Sequence, residues 1–416
     1  AQISGRLDVA AFGSAVGALC ARQAVLRSRI EAARADVPSE EPRQVVETSA
    51  SSTRLTQVDL STLSPTVGER EAHRVLDAEQ RRPFDLGGAL SRFLLVRCSP
   101  TEHRFLAVLH HLISDGWSVE VLESDLSELY RAAAERRPSH LAPLARPFAA
   151  LVLDEIAGRD TERVARDVDW WCERLANANT SVELPSLVAR PPYPSHGGAI
   201  VTRELPVTNE GVDALGSRER ASLFMVGVAG FMAWVSRVTG ALDVTVGTPI
   251  ANRVRSESEG LIGLFTNTIA IRVELEGDPT FGELVARTRD SSLGAFAHSE
   301  APFEALVERL APSRDLSRTP IFQLMVTAEA SAATTEAEGV ALANGLRLRR
   351  GAAWTGTAKY DFSITFLRGA NGFILARPEY STDLFDEPMV NRFLGQLGEM
   401  FADALARPEA RVSELR

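Results

Sequence analysis

Apolar positions recur at helical and strand spacings along the whole chain, and the two patterns alternate. Residues 9–30 carry small and apolar side chains at the spacing of a buried helix. The polar segment 35–68 predicts a loop, and residues 69–82 predict a charged, exposed helix. Residues 90–97 and 104–111 are apolar runs bounded by Gly, Ser or Pro, which is typical of strands. This part of the chain therefore predicts a mixed α/β structure.

The remaining two thirds of the chain continue the alternation. Helices are predicted near residues 118–134, 161–177, 221–238, 281–297, 302–310 and 387–406. Strands are predicted near residues 199–205, 243–249, 267–275, 321–327, 346–350, 360–367 and 373–380. Since 416 residues suffice for two hydrophobic cores, we expect two α/β lobes, residues 1–160 and residues 161–416.

Composition excludes several classes of protein. The chain is 45% hydrophobic and 24% charged, as in ordinary globular domains, and its net charge of −10 argues against a dedicated binder of nucleic acid or of anionic membranes. No run approaches the roughly 20 apolar residues of a membrane helix. Three widely separated cysteines form no C-x-x-C pair, so a reducing bacterial cytoplasm is the simplest compartment. The single lysine among 45 basic residues favours a GC-rich genome.

One motif concentrates residues that can do chemistry, the His-His-x-x-x-Asp-Gly sequence from His110 to Gly116. If a strand reaches His111, the two imidazoles point to opposite faces, and one of them can face a cleft. An imidazole suits general-base work, Asp115 could orient the loop through an arginine, and Gly116 would allow a sharp turn. A packed, purely structural histidine pair is the alternative. We predict no metal site, because adjacent histidines diverge and no third ligand is suitably spaced.

The motif resembles the signature of the condensation domains of nonribosomal peptide synthetases, a family related to chloramphenicol-acetyltransferase-like and carnitine-type acyltransferases. Other segments similar to the family's motifs occur in the family's order along the chain, before and after this one, at residues 22–28, 82–86, 262–268, 298–304, 314–320 and 380–386. Departures are Gln23 and Ala24 in place of His and Glu, and Phe148 and Ala150 in place of Tyr and Asp. The family's N-terminal Ser-x-x-Gln-x-Arg helix has no counterpart, so we expect the chain to begin at the strand after it.

The resemblance implies a fold of two chloramphenicol-acetyltransferase-like lobes in a V-shaped pseudo-dimer, with the active site at the lobe interface. Two tunnels would meet at the histidine motif, each admitting the phosphopantetheine arm of a carrier protein. The expected partners are donor and acceptor carrier proteins and neighbouring adenylation domains. No covalently bound cofactor, nucleic acid or membrane is expected.

The same resemblance implies roles for the residues of the motif. His111 would face the tunnel and deprotonate or position the acceptor amine, or stabilise the tetrahedral intermediate, with His110 beside it in the catalytic motif. Asp115 would pair with Arg272 and hold the loop. The Gly116 N–H would donate to the developing oxyanion.

Supporting and cleft-lining residues are also expected around this motif. Trp117 would support the motif by packing and Ser118 by helix capping. Arg272 would support it through the expected ion pair with Asp115. Asn267 and Thr268 would line the cleft opposite His111, and a buried hydrogen-bonding role is the alternative for both.

The function implied is attack of an acceptor amine on a carrier-bound acyl thioester, which forms an amide. A free-standing enzyme that forms esters or accepts small molecules remains the alternative. A catalytically silent recruitment platform would be expected to have a damaged histidine motif, and an epimerisation domain would differ at residues 263–268. Heterocyclisation relatives carry aspartates in place of both histidines, which excludes that class.

Overall fold

The computed structural model describes residues 1–33, 41–48, 54–158, 161–310, 315–329, 340–342, 345–351 and 355–416. The chain divides into two compact units. Unit 1 comprises Ala1–Gly158 together with Ala251–Thr266 and Thr335–Thr355, and unit 2 comprises the rest of the chain. This division differs from the predicted one at residue 160, because residues 251–266 and the described residues of the segment 335–355 belong to the first unit although they follow unit 2 elements in sequence.

Unit 1 combines a mixed sheet with four helices in its described residues. The strands are β1 (Gln2–Ser4), β2 (Ser28–Glu31), β3 (Arg43–Val46), β4 (Leu55–Asp59), β5 (Ser91–Arg97), β6 (Glu102–Leu109), β12 (Val340–Ala341) and β13 (Arg347–Arg349). The helices are α1 (Val9–Arg22), α2 (Pro65–Arg81), α3 (Gly116–Ala134) and α4 (Phe148–Gly158). The main sheet has the order β12-β13-β1-β6-β5-β4, and β2 and β3 pair separately.

The core of unit 1 lies between this sheet and helices α1 and α3. Phe12 and Leu19 of α1 are fully buried, and the ring of Phe12 meets that of Phe105 on β6 at 5.1 Å. Leu126 and Tyr130 extend the same cluster from α3. Because these side chains recur every three or four residues, each helix buries one face. The packing fixes the end of β6 and the start of α3, where the histidine motif lies.

Unit 2 is built around a larger mixed sheet. Its strands are β7 (Gly198–Ile200), β8 (Arg203–Thr208), β9 (Asp243–Ile250), β10 (Asn267–Glu274), β11 (Leu324–Glu329), β14 (Phe362–Arg368) and β15 (Phe373–Ser381). Its helices are α5 (Glu162–Leu175), α6 (Asn209–Glu219), α7 (Leu223–Thr239), α8 (Phe281–Ala297), α9 (Phe303–Leu310) and α10 (Glu387–Ala406). The strand order in the described residues is β10-β9-β11-β14-β15-β7, with β8 also pairing with β15.

Helix α7 forms the centre of unit 2. Every residue from 225 to 236 is buried, so the helix is enclosed on all sides rather than amphipathic. Ser222 caps its first turn, and Gly240 ends it with a φ of 75°, a left-handed conformation that favours glycine. Among the described helices, none is alone long and apolar enough to cross a membrane, although α6 and α7 together, bent by 99°, reach that length and composition.

The predicted elements agree with the structure where the apolar period is strong. The helices predicted at 118–134, 221–238, 281–297 and 387–406 are confirmed as α3, α7, α8 and α10. The prediction of one helix over 9–30 is wrong, because α1 ends at Arg22 and β2 begins at Ser28. Helices α4 and α6, and strands β3 and β4 within the predicted loop, were not predicted.

Candidate active site

The histidine motif spans the junction between β6 and α3. Strand β6 ends at Leu109, a single 3₁₀ turn covers His111–Ile113, and α3 begins at Gly116. The predicted strand through His111 is therefore too long, because the backbone already turns there. The two imidazoles differ in exposure, since His111 is exposed while His110 is half-buried. The turn, rather than the alternation of side chains along a strand, produces this difference.

The backbone determines which nitrogen of His111 carries the proton. Its Nδ1 lies 2.7 Å from the carbonyl oxygen of Ser114. Since a carbonyl oxygen can only accept, Nδ1 must donate, and the neutral ring keeps its lone pair on Nε2. His111 thus presents a basic nitrogen at an exposed position, as a general base requires.

His110 has the opposite tautomer. The backbone N–H of Leu112 donates to its Nδ1 over 3.1 Å, so this nitrogen is unprotonated and Nε2 carries the hydrogen. The ring packs edge-on against Phe84 at 5.4 Å. Burial, and secondarily the nearby His111, lower the pKa of His110, which favours the neutral form. Its hydrogen bond to the turn is thereby maintained.

Asp115 is the N-cap of α3 and is almost completely buried. Its Oδ1 accepts from the Ser118 N–H at 2.8 Å and lies 2.7 Å from the Ser118 Oγ, while Oδ2 accepts from the Phe265 N–H at 3.1 Å. Burial opposes ionisation, but these hydrogen bonds and the charge of Arg253 outweigh it and lower the pKa of Asp115. The carboxylate therefore stays charged and organises the loop around it.

The arginine that pairs with Asp115 is Arg253, not Arg272. Arg253 Nη2 lies 3.0 Å from Asp115 Oδ1. Arg272 lies on β10 in unit 2, where it forms a bidentate pair with Asp243, with N–O distances of 3.0 and 2.9 Å, and donates to the Arg174 carbonyl. The predicted pair is wrong because the carboxylate of Asp243 on the adjacent strand β9 already binds the Arg272 guanidinium.

Arg253 is held from several sides at once. Its side chain is 3% exposed, and its Nη1 donates to the carbonyl oxygens of Ser258 and Leu261. The guanidinium lies over the ring of Phe265 at 4.3 Å and near that of Trp117 at 5.8 Å. This arginine was not predicted from the sequence. A weak local signal for a turn at this position is the preceding residue, Asn252. Asparagine tolerates the left-handed conformation, and Asn252 adopts it with a φ of 49°.

The residues after Asp115 act as expected in part. Ser118 completes a capping box with Asp115, and the Trp117 indole donates to the Glu259 carbonyl at 2.9 Å, so both residues support the motif. Gly116 does not have a positive φ, which removes the sharp turn as the reason for glycine. A Cβ at Gly116 would meet no atom within 4 Å, and the residue is exposed. Open space therefore lies on the Cβ side of Gly116, the first residue of α3.

The predicted cleft residues Asn267 and Thr268 lie in unit 2 and make structural hydrogen bonds. The Asn267 amide donates to the carbonyls of Ser299 and Ala301 at 2.9 and 2.8 Å, and its oxygen accepts from the Thr268 N–H. Burial raises the pKa of Tyr360, and the neighbouring Thr268 side chain opposes this effect. Asn267 is thus occupied by the backbone, in agreement with the hydrogen-bonding alternative.

Two further motif positions support the segment that carries Arg253. Gln23, which stands where the family has histidine, is buried and donates to Asp125 and to the Gly260 carbonyl, both at 2.9 Å. Gly263 lies against the ring of Phe148, so closely that a Cβ there would be 2.3 Å from it. These contacts place residues 251–266 beside α3.

Other motif residues lie in unit 2. His298 Nδ1 is 2.7 Å from Asp167 Oδ1, which makes it a paired residue rather than a free surface histidine. Arg318 forms an ion pair with Asp315 at 2.8 Å, whereas Arg314 lies outside the described residues. Within the part of the chain that the structure describes, no group of three or more His, Cys, Asp or Glu side chains could hold a metal ion.

Comparison with known proteins places these motifs in one family. The sequence profile described as Condensation domain matches residues 1–416. The chain is 32% identical over 416 residues to one of the proteins that make up the linear gramicidin synthase of Brevibacillus parabrevis, covering 100% of this chain and 8% of that protein. It thus spans a small part of the length of such relatives.

Solved structures agree with this assignment. The X-domain from teicoplanin biosynthesis matches with a TM-score of 0.85 and 26% identity, covering 100% of this chain and 91% of that one. The complex of the X-domain and OxyB from teicoplanin biosynthesis matches with a TM-score of 0.84 and 26% identity, covering 100% and 89%. The prediction of two chloramphenicol-acetyltransferase-like α/β lobes is thereby confirmed. The chain belongs to the condensation domain family of nonribosomal peptide synthetases.

Proposed function

We propose that this chain catalyses attack of an acceptor amine on an acyl thioester borne by the phosphopantetheine arm of a carrier protein, with formation of an amide. Peptide-bond formation is the general reaction of its family. The observation that carries the proposal is the tautomer of His111, whose Nδ1–H is bound by the Ser114 carbonyl so that Nε2 of the neutral ring keeps its lone pair. A base in this state can take a proton from an attacking amine.

The reaction needs one base and one oxyanion donor. The amine nitrogen attacks the thioester carbonyl, Nε2 of His111 receives the proton released, and the C–N bond forms. The N–H of Gly116, the first residue of α3, has no acceptor within its helix, so it is the donor we propose for the oxyanion. Collapse of the intermediate breaks the C–S bond, and the proton passes from His111 to the leaving thiolate.

Asp115 and Arg253 hold this arrangement without touching the substrate. Both are buried, and the ion pair joins the start of α3 to the segment Ala251–Thr266. Donor and acceptor carrier proteins, and adenylation domains next to them, are the partners we propose from the synthetase relatives. An alcohol acceptor, which would give an ester, uses the same residues.

The test is a mass-spectrometric condensation assay. An aminoacyl-carrier donor is offered to carrier-bound amines, free amines and alcohols, with the wild type beside His111→Ala. We expect product from the wild type and a loss of at least about 100-fold in the variant, as is typical when a general base is removed. His73→Ala is the matched control, because His73 is exposed on α2 and should leave the rate unchanged.

The preferred acceptor decides between amide and ester formation. Full activity of His111→Ala would show that another group serves as the base.

A second candidate function is recruitment of a partner enzyme without catalysis. It is favoured by the match to the X-domain structures, one of which contains OxyB. The intact His-His-x-x-x-Asp-Gly motif weighs against it. Binding of a carrier protein without product from any acceptor would favour the platform over the condensation enzyme.

A further inference from the structure

The turn that carries His111 is closed by a small set of hydrogen bonds. The carbonyl of His110 accepts from the Ile113 N–H at 3.0 Å and from the Ser114 hydroxyl at 3.3 Å. The Leu112 N–H, which lies inside the turn, has the Nδ1 of His110 as its acceptor. The turn thereby delivers the Ser114 carbonyl to the Nδ1 of His111.

We propose that His110 is a positioning residue for His111, acting as the side-chain cap of the 3₁₀ turn His111–Ile113. The cap fixes the turn, the turn places the Ser114 carbonyl, and that carbonyl holds His111 in the tautomer with a free Nε2. His110 therefore contributes an acceptor to the backbone rather than a proton to the substrate. This role rests on the proposed function.

His110 is the N-cap of this 3₁₀ turn by its backbone conformation as well as by its side-chain hydrogen bond. Its φ of −68° and ψ of 141° are extended, as at the N-caps of regular helices, and its side chain accepts from the N–H two residues later. Asparagine makes the same local hydrogen bond through its Oδ1, in the Asx-turn. The imidazole adds a ring that asparagine lacks.

The surroundings keep this ring in place. Phe84 meets it edge-on at 5.4 Å, and the guanidinium of Arg92 lies over the Phe84 ring, 3.9 Å from its centre. Glu79 binds Arg92 at 2.6 Å and neutralises its charge. The backbone of His110 is fixed too, because its N–H donates to the Leu90 carbonyl at 2.9 Å. Ring packing and capping are therefore two separable contributions of one side chain.

Two substitutions separate them. His110→Asn retains an acceptor for the Leu112 N–H but removes the ring, whereas His110→Phe retains a ring against Phe84 but removes the acceptor. If capping is the role, kcat of the asparagine variant stays within about 3-fold of the wild-type value. The phenylalanine variant should lose about 10-fold or more in kcat, a factor that corresponds to the free energy of a lost capping hydrogen bond. The loss should fall on kcat and leave KM nearly unchanged, because His110 does not touch the substrate.

Hydrogen exchange of the Leu112 amide provides a readout that does not depend on activity. We expect wild-type protection in His110→Asn and exchange at least about 10-fold faster in His110→Phe. An asparagine variant as impaired as the phenylalanine variant, or full Leu112 protection in His110→Phe, would overturn the proposal. If the wild type forms no product from any acceptor, the proposed function fails while the exchange comparison still decides the capping role.

Discussion

At the scale of single residues, the buried pair of Asp115 and Arg253 decides how the motif is held. Their side chains are only 1% and 3% exposed, so each charge depends on the other and on the hydrogen bonds around it. Desolvation alone would favour neutral groups. Burial lowers the pKa of the Arg253 guanidinium. Burial would raise the pKa of the Asp115 carboxyl, but the hydrogen bonds to it and the charge of Arg253 outweigh burial and lower that pKa. The site is therefore sensitive to loss of either partner.

Asp115→Asn should be strongly destabilising. The amide keeps the size of the side chain but leaves the Arg253 guanidinium buried without its counter-ion, which costs about 3–5 kcal/mol when a buried pair is broken. Urea-induced unfolding measures the change. Asp213→Asn is the control, since Asp213 pairs with Arg368 at the surface and should change stability by less than about 1 kcal/mol. Equal effects of the two substitutions would contradict the structural role of the buried pair.

Gly263→Ala should destabilise unit 1 through a steric clash. The added Cβ would lie 2.3 Å from the ring of Phe148, and overpacking of this kind costs about 1–3 kcal/mol. Thermal unfolding of Gly263→Ala beside the double variant with Phe148→Leu measures it. Recovery of stability in the double variant is the expected result, and a further loss would show that the backbone, not the ring, requires glycine.

The chemistry of the motif could be predicted from the sequence, but its supporting contacts could not. His111, Asp115 and Ser118 follow one another closely, so a local pattern is enough to place them together. Arg253 lies 138 positions from Asp115, and its role depends on how the segment after β9 returns to unit 1. The sequence alone does not distinguish among its many arginines, and only the fold shows that Asp243 has already bound Arg272.

At the scale of elements, the strength of the apolar period separates what could be predicted from what could not. Helix α7 is apolar over its first three turns and α10 has a clear buried stripe, so the sequence predicts both. Helix α6 is short and mostly polar, with three buried residues, and gives little periodicity. Strand β3 is largely exposed and is defined by its pairing with β2, which is a tertiary property that a local pattern does not contain.

Helix α1 contains two glycines that its fold does not require. A Cβ at Gly13 or Gly17 would meet no atom within 4 Å, and both residues lie inside the helix. Because alanine restricts the unfolded chain and suits a helix, Gly13→Ala and Gly17→Ala should each stabilise the protein by about 0.4–1 kcal/mol. Chemical unfolding of the two single variants and the double variant tests this. Destabilisation by either would indicate a contact at this surface of α1.

At the scale of the whole molecule, the two units have separate hydrophobic cores. One buried cluster lies within unit 2, around α7, and another lies within unit 1, around α1 and β6. The units also differ in their titratable groups, because both histidines whose pKa is lowered by burial, His103 and His110, belong to unit 1. Conditions that protonate histidine should therefore act on unit 1 first.

The stability of unit 1 should fall as the pH is lowered below about 6.5, the ordinary pKa of histidine. Burial lowers the pKa of His103 and His110 in the folded state, so the unfolded chain binds protons more readily. The stabilisation is complete above that pH and is lost as the pH falls through the lower folded-state pKa. Thermal unfolding between pH 7.5 and 5, with hydrogen exchange to locate the loss, measures it. His103→Leu should flatten the slope, since His103 is 1% exposed and its Nδ1 has no hydrogen-bond partner among the described residues. An unchanged slope in that variant would assign the acid sensitivity to other groups.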